Sequence, residues 1–200
     1  MGAIVPSPQE PPLRPMPLTI EQALDRFMAD YLAAFQRHHG QPPSIEADPE
    51  WPSACLQGPV DANGLQHWQP VRQPQATDLF ERIGSALDSP VHPDLAAYYS
   101  RYWSDPLPAR CATGDLSLLF VWNEADFERL RGNLIGHLLD CRRNKRPPAL
   151  FFGCTEPEEY VLSVNNASGE VVLEQPGAKR FDRVAPSLAA FIASLQPNIG

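Results

Sequence analysis

Residues 114–141 read GDLSLLFVWNEADFERLRGNLIGHLLDC, and a change of period inside that stretch decides the fold. From Gly114 the apolar residues first alternate and then run together as Leu118, Leu119, Phe120, Val121 and Trp122, which suits a strand buried on at least one face. From Phe127 they recur as Leu130, Leu134 and Leu138, so a helix to about Cys141 carries one apolar stripe. Asn123 between the two is a fitting N-cap, with Glu124 and Asp126 in the first turn, where the helix dipole favours anions. Arg142, Arg143, Lys145 and Arg146 crowd the far end, where it favours cations.

Further strands follow at Leu150 to Gly153, Tyr160 to Asn165 and Glu170 to Glu174, the last two joined into an antiparallel hairpin by Asn166-Ala167-Ser168-Gly169. Ser187 then caps a closing helix with Leu188, Phe191, Ile192 and Leu195 inward. Toward the N-terminus, Pro93 opens a helix to Tyr102, and Thr77 to Leu87 forms another with Leu79, Phe80, Ile83 and Leu87 inward. Gln41 to Gln75 is an irregular, proline-rich wrap anchored by Trp51, Cys55, Trp68 and Val71, with a short strand at Leu65 to Trp68. The first helix runs from a capping box at Thr19 and Gln22 to about Arg37, stopped by Gly40 and Pro42. Residues 1–18 hold six prolines and no periodic apolar pattern, so they read as a disordered or polyproline-like leader. Residues 19–200 form a single α+β domain, a mainly antiparallel sheet flanked by helices.

Composition narrows the function. With 43% apolar and 20% charged residues the chain is globular, and its 23 prolines imply a loop-rich fold. No stretch approaches the ~18 consecutive apolar residues of a membrane span, and the N-terminus lacks a secretory pattern, which places the protein in the cytoplasm. A formal charge of −8 repels nucleic acid and anionic lipid alike, so a basic protein partner is favoured over either, and direct lipid insertion is not expected. An acidic surface also serves solubility without any binding role.

Cys55, Cys111, Cys141 and Cys154 show no C-x-x-C pair and no local histidine at metal spacing, so neither a zinc site nor a disulfide framework is expected. His137, between Leu134 and Leu138, reads as a core imidazole with one satisfied hydrogen bond. Hydrolase, phosphate-loop, metalloprotease and dinucleotide motifs are absent, so no cofactor and no enzyme activity are expected.

Three segments carry a family resemblance: Asn133-Leu134-Ile135-Gly136-His137-Leu138-Leu139, Lys145-Arg146-Pro147-Pro148-Ala149-Leu150-Phe151, and Ser163-Val164-Asn165-Asn166-Ala167-Ser168-Gly169-Glu170-Val171. With Trp122-Asn123-Glu124-Ala125-Asp126-Phe127 upstream, their order and spacing resemble the Syd family of SecY-interacting proteins from about Gly114 to Pro197. The resemblance implies a SUKH-like fold and binding to SecY, as a regulator or quality check of the SecYEG translocase at the cytoplasmic side of the inner membrane. The cytoplasmic loops of a membrane channel are rich in Lys and Arg, which an acidic domain complements.

The acidic residues favoured for that contact are Asp105, Glu124, Asp126, Glu156, Glu158 and Glu159, which fall in loops or a first helical turn and could meet in one concavity. Trp103 and Trp122 stand close to them in sequence and could hold an Arg or Lys by cation–π contact, although core packing is their commoner role. Two alternatives stay open. One is a SUKH-type immunity protein neutralising a basic toxin nuclease; the other is a small hydrolase using distant residues such as Cys111 and His137.

Overall fold

The computed structural model describes residues 16–74, 78–87, 89–156, 159–175 and 180–200. The elements run α1 (Ile20–His39), β1 (Ser44–Glu46), β2 (Leu56–Gln57), β3 (Leu65–Trp68), β4 (Val71–Arg72), α2 (Leu79–Leu87), α3 (Pro93–Arg101), β5 (Tyr102–Trp103) and β6 (Leu107–Cys111). They continue with β7 (Gly114–Leu118), α4 (Glu124–Arg143), β8 (Ala149–Glu156), β9 (Val161–Asn165), β10 (Val171–Glu174), β11 (Asp182–Ala185), α5 (Leu188–Ser194) and β12 (Gln196–Pro197). The α+β expectation holds: among the described residues a seven-stranded sheet runs β11-β10-β9-β8-β7-β6-β12, every neighbouring pair antiparallel. Residues 1–15 of the expected leader and the start of the second helix at Thr77 lie outside the described residues.

Local chemistry explains the helix ends. Thr19 and Gln22 close a capping box at α1, and Gly40, at φ 70°, supplies the left-handed C-cap. At α4, Asn123 Oδ1 accepts the Asp126 N–H at 3.0 Å, a cap worth about 1 kcal/mol.

The expected strand from Gly114 to Trp122 ends at Leu118, because a regular strand would turn alternate members of Phe120, Val121 and Trp122 away from the core. The chain bends instead and all three are buried. Val121 makes one parallel bridge to Trp103. The bend leaves carbonyls for side chains to satisfy: Tyr98 donates to Leu119 O at 3.0 Å, and Tyr99 to Phe151 O at 3.0 Å, where β8 is bulged.

Helices cover both faces of the sheet. Phe152 meets Tyr98 of α3 and Phe191 of α5, while Phe151 meets His137 of α4. The hairpin turn at Asn166 docks on the start of α3, where Asn166 Oδ1 accepts from His92 N at 2.8 Å. Gly169 sits there at φ 75°, and a Cβ at this position would lie 2.4 Å from the His92 ring.

Candidate functional site

The β6–β7 hairpin organises the acidic residues, because its two ends are about 14 Å apart at ~3.4 Å per residue. At the open end, Leu107 faces Leu118, and the chain on either side carries Asp105 and then Trp122 to Asp126. At the turn end, Cys111 faces Gly114, and Asp115 faces Glu156 of β8. The structure therefore gathers Asp105, Glu124 and Asp126 at one end and places Glu156 and Glu159 at the other. Glu158 lies outside the described residues.

The open end forms a cleft of about 360 Å³ lined by Pro52, Ser53, Trp103, Trp122, Asn123 and Glu124. Its walls are pinned before any partner arrives. Ser53 Oγ donates to Trp122 O at 2.6 Å, Asn123 Nδ2 to Pro52 O at 2.8 Å, and Trp122 Nε1 to Trp51 O at 3.1 Å. Trp122 is buried edge-on to Trp68, and half-buried Trp103 packs edge-on to Phe127. Both tryptophans thus pack structurally and also line the cleft.

The three carboxylates here do different things. Asp126 Oδ2 accepts the Trp122 N–H at 3.0 Å, and its Oδ1 lies 3.6 Å from Arg129, whose guanidinium stacks over Trp51. Its role is to hold the entry to α4. Asp105 and Glu124 have no hydrogen-bond or ion-pair partner for their carboxylates among the described residues. Burial pushes the Asp105 pKa up to about 6, and the neighbouring Asp126 charge adds to the shift. A desolvated carboxylate without a counter-ion is ready to receive a cation.

The turn end differs. Arg110 donates through both Nε and Nη2 to Asp115 and cancels that charge, leaving Glu156 and Glu159 beside a mostly apolar hollow of about 280 Å³ lined by Leu116, Leu162, Leu173 and Phe191. A positive group therefore sits among the negative ones at this end.

A third constellation escaped the sequence reading. On α4, His137 and Cys141 share a face one turn apart, and Glu174 of β10 meets them there. His137 Nε2 lies 2.9 Å from Glu174 Oε1, and Arg146 Nη1 donates to Glu174 Oε2 at 2.9 Å while its Nη2 bonds Asp140. Glu174 is only 2% exposed. Burial would pull the His137 pKa down, but its hydrogen bonds to Cys141 and Glu174 and the Glu174 charge outweigh that and leave it at about 9. For Glu174, burial acts upward, yet the His137 bond and the charges of His137 and Arg146 hold it below the usual carboxylate value. The expectation that no cysteine has a histidine at ligand spacing is thereby corrected: H-x-x-x-C at 137–141 was the signal to read.

Comparison with known proteins agrees with this architecture. A family model described as "Syd protein (SUKH-2)" matches residues 21–197. "Protein Syd" of Pseudoalteromonas atlantica is 40% identical over 185 residues, covering 92% of this chain and 98% of that protein. "Protein Syd" of Alteromonas mediterranea is 42% identical over 182 residues, covering 91% and 98%. The similarity runs through both ends of the central hairpin and the α4 segment, and the chain belongs to the Syd (SUKH-2) family.

Proposed function

We propose that this protein binds Lys- and Arg-rich cytoplasmic loops of SecY through the cleft at the open end of the β6–β7 hairpin, regulating or checking the SecYEG translocase from the cytoplasmic side of the inner membrane. The observation that carries this reading is Asp105, a desolvated carboxylate that meets no cation among the described residues and follows Trp103 of the cleft wall closely in the chain. An incoming guanidinium or ammonium would supply the missing charge, and Glu124 would pair with a second. Trp103 and Trp122 line the cleft, which gives the aliphatic stem of the incoming side chain an apolar wall. The family membership and the net charge of −8 support the same partner. Membrane association would follow from that protein contact, since no helix among the described residues is long and apolar enough to cross a bilayer.

The test is a salt series with detergent-solubilised SecYEG. Binding at low ionic strength that weakens steeply as salt rises is the expected result, because partly exposed charge pairs are screened over ~8 Å at physiological salt. No association at low salt, or an affinity indifferent to salt, would remove the proposal.

A further inference from the structure

We infer that His137, Cys141 and Glu174 form a binding site for one divalent ion of the zinc class, built between α4 and β10 and separate from the acidic cleft. The donor atoms of the three residues all lie within 4.8 Å of one another. In a tetrahedral site with bonds of about 2.0–2.3 Å, donors stand roughly 3.3–3.8 Å apart, so closing on an ion needs side-chain shifts of about 1 Å. One nitrogen, one sulfur and one carboxylate oxygen match zinc and disfavour magnesium or calcium, which take oxygen alone.

The backbone already imposes the geometry. His137 and Cys141 project from one face of a 20-residue helix at the i, i+4 spacing that brings two side chains together. Glu174 is fixed from the opposite side by Arg146, which holds Oε2 and leaves Oε1 facing the imidazole. Arg146 would remain as the outer partner orienting the carboxylate, with Asp140 bound behind it. Charges also balance: the ion and Arg146 carry three positive charges, and a Cys141 thiolate, Glu174 and Asp140 carry three negative ones. The ion would replace the direct His137–Glu174 hydrogen bond. Cys141 and Glu174 are buried, and the His137 side chain, 17% exposed, opens the site to solvent for entry and for a water as fourth ligand.

Cobalt(II) titration of the reduced, full-length protein is the test. The expected result is a thiolate-to-cobalt charge-transfer band with tetrahedral visible absorption, saturating at one equivalent and reversed by added zinc. Cys111→Ser should keep the band and Cys141→Ser should lose it. Absence of the band in the parent protein would overturn the inference without any variant, and so would its survival in Cys141→Ser. Glu174→Gln is avoided as the sole probe because it also removes one of the two carboxylates that hold Arg146. Melting temperature gives a second readout: zinc should raise it in the parent and not in His137→Gln or Cys141→Ser, whereas equal shifts in all three would contradict the assigned ligands.

Discussion

Two regions of this molecule take carboxylates out of water and treat them in opposite ways. Glu174 is nearly inaccessible, but His137 and Arg146 bond both of its oxygens, and its acidity increases. Asp105 is less deeply placed, meets no cation among the described residues, and has its acidity suppressed. A buried charge that is fully partnered fixes the structure around it; one left unpartnered raises the energy of the free protein and is relieved when a cation binds. The contrast separates a paired ionic cluster from the proposed recognition site.

The comparison breaks most visibly at Glu174. Glu174→Leu should cost about 3–5 kcal/mol in urea unfolding, since it leaves the His137 imidazole without its carboxylate partner and the buried Arg146 guanidinium with Asp140 alone. A loss below about 1 kcal/mol would mean that the cluster is not held together by its charges. Asp105→Asn should do the reverse and stabilise the protein at neutral pH by on the order of 2 kcal/mol.

The sign follows from linkage. Asp105 has a folded pKa raised from 3.8 to about 6, so its favourable contribution is complete below pH ~4 and lost as pH rises through about 6. The gain from Asp105→Asn should therefore disappear in unfolding experiments at pH 4; a gain independent of pH would point to a packing effect. His137 gives a second, separate step. Its folded pKa is raised from 6.5 to about 9, so its stabilisation is present below pH ~6.5 and lost as pH rises through about 9. In chelator, stability should fall by about 2–3 kcal/mol across that window, and His137→Gln should flatten that fall while leaving the step below pH 6 intact. Loss of both steps in either variant would mean the two regions are coupled. The smallest effect belongs to the turn end: Glu156→Lys, on an exposed position, should change stability by less than about 0.5 kcal/mol.

Much of the fold was legible because period and caps agree. Phe127, Leu130, Leu134 and Leu138 mark the buried stripe of α4, and Asn123 caps it as its chemistry suggests. β6 was missed because Leu107-Pro108-Ala109-Arg110-Cys111 hides a buried–exposed alternation behind a proline and a small residue; Pro108 is accommodated with its side chain exposed. β11, Asp182–Ala185, is a largely exposed edge strand with little apolar signal.

The site was legible only in part. Asp105 feels the charge of Asp126, since the loop before β6 and the start of α4 meet at the open end of the hairpin, and Glu124 lines the cleft there. That Glu156 and Glu159 fall at the far end depends on strand register, which residue type does not reveal. His137 reads as a core imidazole from its helix alone; its partner Glu174 is 37 residues away and is brought in by the order of the sheet.

The proposed function makes recognition of a cationic loop depend on Asp105 and Glu124 at the open end of the hairpin, and the affinity of SecYEG for two double variants, measured at one low salt concentration, addresses it most directly. Asp105→Asn with Glu124→Gln should weaken binding by about tenfold or more, as expected for the loss of charge-assisted contacts, while Glu156→Lys with Glu159→Lys should leave it within about threefold of the parent, a difference under ~0.7 kcal/mol. If the first pair binds like the parent and the second loses its affinity, the recognition site lies at the turn end of the hairpin, and Asp105 and Glu124 play no part in it.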